Sequence, residues 1–261
     1  MPAPDPAEDR ALLTEAAREA GRIARRYFET GAEVWDKGDG QGPVTEADLA
    51  VNGMLREALT AARPGWAWLS EESPDDPARA GSPAQVIVDP IDGTRAFVER
   101  SKDWSHALAT HDAGGLRAAV VYLPMRDLLY SAHRGGGATL NDAPIRVSDR
   151  AALDGARVLA ARPNLAPVHW RDGKVPPVSR HFRSSLAYRL ARVAEGAFDA
   201  MLTLRPSWEW DIAAGALLVS EAGGEARDPA GSPLRFNNAH PQTPGVVAGG
   251  PVARALLDRL A

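Results

Sequence analysis

A chain of 261 residues, 44% hydrophobic and 25% charged, is long enough for one large domain or two packed halves and can bury a sizeable core. Its formal net charge of −4 gives no general attraction to nucleic acid or an anionic membrane, and the absence of cysteine excludes disulfides and thiolate metal sites. No apolar run approaches the roughly 20 residues that span a bilayer. The proline-rich, acidic start Met1–Pro6 lacks the basic and apolar regions of a signal peptide, so a cytoplasmic protein is expected.

From Ala7 to Phe28, the positions Leu12, Leu13, Ala16, Ala17, Ala20, Ile23, Ala24, Tyr27 and Phe28 form a helical apolar stripe. The glycine-rich stretch Asp36–Gly42 predicts a mobile hairpin, in which Lys37 is either a phosphate contact or a solvated loop lysine. Thr45-Glu46-Ala47-Asp48 reads as a helix start with Thr45 as N-cap, and that helix stops at Arg63-Pro64-Gly65. Asp48 there favours the positive end of the helix, whatever else it does. Trp66-Ala67-Trp68-Leu69 predicts a short strand with core tryptophans. It ends in Ser70-Glu71-Glu72, and an exposed loop follows from Ser73 to Ala84.

Val86-Ile87-Val88 is a β-branched run that reads as a buried strand, and it leads into Asp89-Pro90-Ile91-Asp92-Gly93-Thr94. Pro90 lacks an N–H, so the chain is expected to leave the sheet here and curl both aspartates toward one point. Gly93 and Thr94 then open a helix whose N–H groups suit an anion, with Asp92 as an alternative N-cap. Three further strands are predicted between residues 105 and 133. Gly135-Gly136-Gly137-Ala138 lacks the lysine of a P-loop and reads as a tight connection.

A second half is expected to begin near Ser148, dividing the chain into 1–147 and 148–261. It opens with a strand at Val158-Leu159-Ala160. Ser184-Ser185 caps a helix that carries Leu186, Leu190 and Val193 and stops at Gly196. A strand at Ala197–Leu202 precedes Trp208-Glu209-Trp210-Asp211, where Asp211 stands before an apolar helix as an N-cap or as a ligand. Val246-Val247-Ala248 and Val252–Leu260 predict a last strand and helix. There is no internal repeat.

Acidic residues thus fall at a strand end or helix start three times, at Glu71, at Asp89 with Asp92, and at Asp211. Gathered together, they would raise one another's pKa by repulsion unless cations neutralised them. Two Mg²⁺ ions bring about four positive charges and prefer oxygen ligands. Such a pair activates water and stabilises a leaving oxygen, as phosphate-ester hydrolysis requires. The six histidines show no metal-ligand spacing.

Asp89-Pro90-Ile91-Asp92-Gly93-Thr94 and Trp210-Asp211-Ile212-Ala213-Ala214-Gly215 resemble the two signature motifs of the inositol monophosphatase superfamily of Mg²⁺-dependent, lithium-sensitive phosphatases. Leu69-Ser70-Glu71-Glu72 and Pro43-Val44-Thr45-Glu46-Ala47-Asp48 are similar to its other two acidic motifs, and the likeness runs from about residue 8 to 255. The resemblance implies an α+β fold, a layered α/β/α/β/α sandwich with metals where the halves meet. It implies that Glu71, Asp89 and the Ile91 carbonyl bind one Mg²⁺, and that Asp89, Asp92 and Asp211 bind a second. Asp48 and Thr94 would orient and activate the attacking water, with Glu71 helping through a third, weaker metal position. The Gly93 and Thr94 N–H groups would hold the phosphate, and Glu72 would support Glu71 or face solvent.

The substrate is expected to be a small phosphorylated metabolite. Inositol-selective relatives usually carry an acidic residue seven positions before the second-motif aspartate, where this chain has Leu204. The missing acceptor weakens the case for a polyol substrate, because a site built for hydroxyls gains its selectivity from such bonds. Leu69-Ser70-Glu71-Glu72 and Ser184-Ser185-Leu186 are instead similar to bacterial 3'(2'),5'-bisphosphate nucleotidases, which implies a substrate contact at Ser185. Those enzymes often carry a lysine where this chain has Ala187, and Arg183, Arg189 or Arg205 is expected to replace it or to lie on the surface. Asp92–Phe97 also resembles members that act on histidinol phosphate, so inositol-1-phosphate and histidinol phosphate are the alternative substrates. An inactive metal-binding regulatory protein is the alternative of another class. Trp208 and Trp210 flank the expected site, where one of them would line it, and relatives allow a homodimer.

Overall fold

The protein is described here from a computed structural model that covers residues 5–38 and 42–261. The start of the proline-rich N-terminus and the hairpin tip expected at Asp39–Gln41 lie outside the described residues. Six helices are present among the described residues: α1 (Pro6–Thr30), α2 (Glu46–Ala62), α3 (Thr94–Val98), α4 (Leu186–Ala194), α5 (Glu209–Glu221) and α6 (Pro251–Leu257). The strands are β1 (Val34–Asp36), β2 (Pro43–Thr45), β3 (Ala67–Ser70), β4 (Ala84–Asp92), β5 (Ser105–Asp112), β6 (Gly115–Leu123), β7 (Leu128–His133), β8 (Ala138–Leu140) and β9 (Ala143–Pro144). They continue with β10 (Arg157–Ala160), β11 (Ser179–His181), β12 (Ala200–Thr203), β13 (Ser207–Trp208), β14 (Glu225–Arg227), β15 (Gln242–Thr243) and β16 (Val246–Gly249).

Strands β3 to β9 form a seven-stranded sheet in sequence order, antiparallel except for the parallel pair β3 and β4. A second sheet has the order β11-β10-β12-β16-β14, with β11, β10 and β12 parallel. Side chains on a strand alternate between faces, and three cores follow from that alternation. Val86 and Val88 of β4 turn to one face of the first sheet, where Leu13 and Ala17 of α1 and Leu55 and Leu59 of α2 cover them. Ile87 turns to the other face and packs with Leu190 of α4 and Ile212 and Leu217 of α5. These two helices also meet Leu159, Met201 and Ala248 of the second sheet, whose far face carries Val158, Leu202 and Val247 beneath Val252 and Leu256 of α6. The layers therefore run α/β/α/β/α, and the middle core draws on both halves of the chain.

The helix starts follow local chemistry. Asp5 accepts from Ala7 N at 2.8 Å to cap α1. Thr45 and Asp48 form a reciprocal capping box at α2. Pro90, by contrast, does not end β4. Pairing with β5 breaks after Asp89 and resumes at Asp92 opposite Ser105. The proline thus sits in an unpaired bulge, where its missing N–H costs no ladder bond. Buried His106 of β5 donates from Nδ1 to the Pro90 carbonyl at 2.5 Å, which ties the bulge to the sheet.

The stretch 73–84 is also more than an exposed loop. A 3₁₀ turn at Pro77–Gly81 buries Arg79, whose guanidinium donates to Asp75, to Asn237 Oδ1 and to the Asn238 carbonyl. Trp66 and Trp68 pack half-buried at the edge of the first core. Arg63 and Arg117 lie 5.7 and 5.6 Å from the Trp66 ring centroid.

Helices α4 and α5 approach closely at Gly215, where a Cβ would overlap the Leu190 side chain. Gly215→Val is expected to destabilise the fold by about 1–3 kcal/mol through overpacking, read as a lower midpoint in thermal unfolding. An unchanged midpoint would mean that the interface has slack.

Candidate active site

The acidic residues converge because of strand register. β3 and β4 run parallel with Ser70 beside Val88, so Glu71, just past the end of β3, comes beside Asp89, the last residue of β4 before the bulge. Glu71 N also donates to the Val88 carbonyl at 3.2 Å. The bulge returns Asp92 to the same end of the strand. Asp211 arrives from the first turn of α5, whose N-cap is Trp208, so Asp211 is not the cap. Ligand oxygens of Asp89, Asp92 and Asp211 lie within 4.8 Å of one another.

These carboxylates have unequal surroundings. Burial, followed by repulsion from Glu71, Asp92, Asp211 and Asp48, pushes Asp89 well above the ordinary carboxylate range. Its Oδ1 is buried and accepts no hydrogen bond among the described residues. Asp211 is also pushed well up, by burial, Asp92 and Glu71, with Arg205 opposing. Asp92 rises only to about 6, because three donors offset its burial. Ser185 Oγ and Ala187 N each reach Asp92 Oδ2 at 2.6 Å, and Leu186 N reaches Oδ1 at 3.2 Å. Asp92 thus bonds the N-terminus of α4, while α3 starts at Gly93 (φ 97°) with no side-chain cap. A Cβ on Gly93 would lie 3.3 Å from the Asp103 carbonyl and 3.4 Å from Ser185 Cβ, so both conformation and space favour glycine.

Asp48 is fully buried. Its Oδ2 accepts from Thr45 N at 2.8 Å and Thr45 Oγ1 at 2.5 Å, and its Oδ1 lies 3.3 Å from the Thr94 hydroxyl. The Thr94 hydroxyl also lies 3.1 Å from the Ile91 carbonyl. Burial raises Asp48 to about 6 against the lowering effect of the Thr45 bonds. Lys37 Nζ sits 2.7 Å from Glu71 and 2.5 Å from Glu72, so its described partners are carboxylates. Burial lowers its pKa, and the two glutamates outweigh this and raise it. Glu72 does not face solvent: its side chain is 6% exposed, and burial lifts it to about 7 against the pull of Lys37.

A cavity of about 750 Å³ opens over the acids. Its lining includes Glu71, Asp89, Asp92, Gly93, Thr94 and Asp211 together with Phe182, Arg189, Leu204 and Arg205. Arg189 is buried with its guanidinium 4.4 Å from the Phe182 ring centroid. Burial lowers its pKa to about 10 against the attraction of Asp92. Ser185 is fully buried behind Asp92 and does not border the cavity, and Arg183 turns to Asp103 at 3.7 Å. Trp208 and Trp210 stack on each other, with centroids 4.7 Å apart, and neither borders the cavity.

Two contributors escaped the sequence reading. Asn52, one turn after Asp48 on α2, accepts from Ser70 Oγ at 2.7 Å and donates to the Glu72 carbonyl at 3.2 Å, so it brackets Glu71. Its i, i+4 spacing from Asp48 was the available signal. Glu99, at the C-cap of α3, lines the cavity and carried no signal.

The chain belongs to the inositol monophosphatase family, whose model matches residues 5–261. It is 35% identical over 236 residues to an inositol-1-monophosphatase of Rhizobium meliloti, covering 84% of this chain and 85% of that protein. It is 34% identical over 263 residues to the Nus factor SuhB of Escherichia coli K12, covering 95% and 94%. Among solved structures, the extragenic suppressor protein SuhB from Bartonella henselae superposes with a TM-score of 0.81 at 30% identity, covering 95% of this chain and 96% of that one. An IMPase from Thermotoga maritima gives 0.81 at 26% identity, covering 95% of each. Members of the family are metal-dependent phosphatases, and this chain is a phosphoric monoester hydrolase. No helix among the described residues is long and apolar enough to cross a membrane.

The raised pKa of Asp89 has a sign that can be tested. A carboxyl whose folded pKa exceeds its unfolded value of about 3.9 withdraws stability as pH rises from that value through the folded pKa. In chelator at pH 8, Asp89→Asn is expected to melt above the unaltered protein, and the gap should close toward pH 4. A variant that melts lower at pH 8 would show that Asp89 is not strained by its neighbours.

Proposed function

We propose that this protein is a Mg²⁺-dependent, lithium-sensitive phosphatase whose substrate carries a second anionic group, with adenosine 3',5'-bisphosphate converted to AMP as the preferred reaction. The observation that carries this reading is a single cavity lined by both an acid cluster and arginines. The donor set is oxygen only, and Asp89 Oδ1, without a partner among the described residues, suits a hard divalent cation. In this reading Glu71, Asp89 and the Ile91 carbonyl hold one Mg²⁺, Asp89, Asp92 and Asp211 hold a second, and Glu71 serves a weaker third position. The bound ions supply Lewis acidity, which makes water nucleophilic near neutral pH and stabilises the leaving oxygen.

The remaining work falls to the chain. Thr45 fixes Asp48 Oδ2, so Oδ1 faces the Thr94 hydroxyl. This pair orients the attacking water, and Asp48 takes its proton through Thr94. The Gly93 and Thr94 N–H groups hold the transferred phosphate. Lys37 bridges Glu71 and Glu72 and offsets part of their negative charge. Arg189 and Arg205 bind the second phosphate, and Phe182 flanks the base.

Hydrolysis of inositol-1-phosphate is the second reading. It is favoured by the relative of that name and by Glu99, a carboxylate on the cavity wall that suits a hydroxyl donor. Phosphate release from adenosine bisphosphate, inositol-1-phosphate and histidinol phosphate, with Mg²⁺ and with added Li⁺, separates the readings. The first substrate is expected to be fastest, and a clear preference for inositol phosphate would overturn that choice. Asp89→Asn should abolish Mg²⁺-dependent release with an unchanged circular dichroism spectrum. Arg205→Ala should raise KM for adenosine bisphosphate about tenfold or more, as loss of a charge-assisted bond implies, and more than it raises KM for p-nitrophenyl phosphate. Absence of turnover with any of these esters would favour a regulatory protein without catalysis.

A further inference from the structure

We propose that Ser105 and Ser185 are positioning residues that act as a two-hydroxyl chain, fixing Asp92 so that its Oδ1 is the oxygen offered to a divalent cation. The inference rests on the metal reading above and concerns residues that the motifs leave without this role.

Hydrogen-bond accounting sets the direction of the chain. An ionised carboxylate only accepts, so the 2.6 Å contact between Ser185 Oγ and Asp92 Oδ2 uses the one proton of Ser185. Tyr188 N donates to Ser185 Oγ at 2.9 Å and takes one of its two lone pairs. Ser105 Oγ, 3.0 Å away, must then donate into the other. Both hydroxyls are fully buried, so no solvent competes for these bonds. Ser105 lies on β5 opposite Asp92, at the first pair after the bulge. The chain therefore leaves the first sheet, crosses to the start of α4 and returns to the aspartate beside which it began.

Its effect on Asp92 is asymmetric. Oδ2 accepts from Ser185 Oγ and Ala187 N, which fills its two lone pairs, whereas among the described residues Oδ1 accepts only from Leu186 N at 3.2 Å. The unfilled lone pair is on Oδ1. With Ser185 in place, the carboxylate has no reason to rotate.

The alternative is that Ser185 serves only as the N-cap of α4. A cap lost to alanine costs stability, about 1 kcal/mol, and leaves the cation affinity of the folded protein unchanged. Ser105 belongs to no cap. The test is calorimetric titration of Mg²⁺, or of Mn²⁺ for greater heat, into Ser105→Ala, Ser185→Ala and Ser185→Thr, with melting midpoints in chelator recorded alongside. Ser185→Ala is expected to weaken cation binding by about 10–100-fold, the usual cost of losing a partner that orients a ligand. Ser105→Ala should weaken it by a smaller factor, and Ser185→Thr should restore most of the loss. Unchanged affinity in Ser105→Ala and Ser185→Ala, beside normal binding by the unaltered protein, overturns this inference alone. An unaltered protein that binds neither ion overturns the metal reading with it. If Ser185→Ala fails to fold, Ser105→Ala decides, because it leaves the helix cap intact.

Discussion

The constraint on which this structure depends is repulsion among carboxylates taken out of water. Asp48, Asp89 and Asp92 are each less than one-tenth exposed, and Asp211 joins them with its ligand oxygen within 4.8 Å of those of Asp89 and Asp92. Such a cluster opposes folding unless the scaffold is stiff and something answers the charge. Stiffness comes from three stacked cores. Parallel register fixes Glu71 against Asp89, the bulge at Pro90 fixes Asp92, and the first turn of α5, pressed between two sheets, fixes Asp211. The positive end of α5 also lies beside Asp211, which eases its charge in part.

The protein answers each charge differently, and this divides the work among groups of similar chemistry. Asp48 is closed on one oxygen by its own capping box. Lys37 spans Glu71 and Glu72. Asp92 takes three donors from the start of α4, whereas Asp89 keeps a buried oxygen with no donor among the described residues. The least satisfied carboxylate is thus the one at the centre of the cluster. A cation entering there would neutralise part of that charge, so ligand binding and folding stability would be coupled at this point.

What was legible in the sequence was what is local in the chain. The Thr45 cap on α2, the Ser185 cap on α4 and the alternation of Val86, Ile87 and Val88 each depend on residues within one turn or one strand. The convergence of Glu71, Asp89, Asp92 and Asp211 was readable because each falls close to a strand end or a helix start. Partners across layers were not readable. Ser185 is 93 residues from Asp92, and Lys37 is 34 residues from Glu71. Periodicity says which face of an element is buried and never which element covers it. Arg79 has the same explanation: its polar surroundings read as a loop, and its burial depends on Asn237 and Asn238 from the far end of the chain. Pro90 misled for a local reason, since a bulge and a strand end look alike when only the missing N–H is considered.

The two sheets meet the cavity in the same sense. In the first, Glu71 follows the C-terminal end of β3, and Asp89 and Asp92 flank the bulge near the C-terminal end of parallel β4. In the second, β10 and β12 run parallel and lead into Ala161 on one strand and Leu204 and Arg205 on the other, all on the cavity wall. Ligands collect at such ends because the chain leaves the sheet there with side chains free to converge. The acids come from the first sheet and α5, while Leu204, Arg205 and Arg189 come from the second sheet and α4. The α4 helix joins the sets, holding Asp92 at its start and presenting Arg189 in its first turns. Side chains on the second-sheet wall can therefore change which ester is held without moving an acid, whereas any shift of α4 disturbs both.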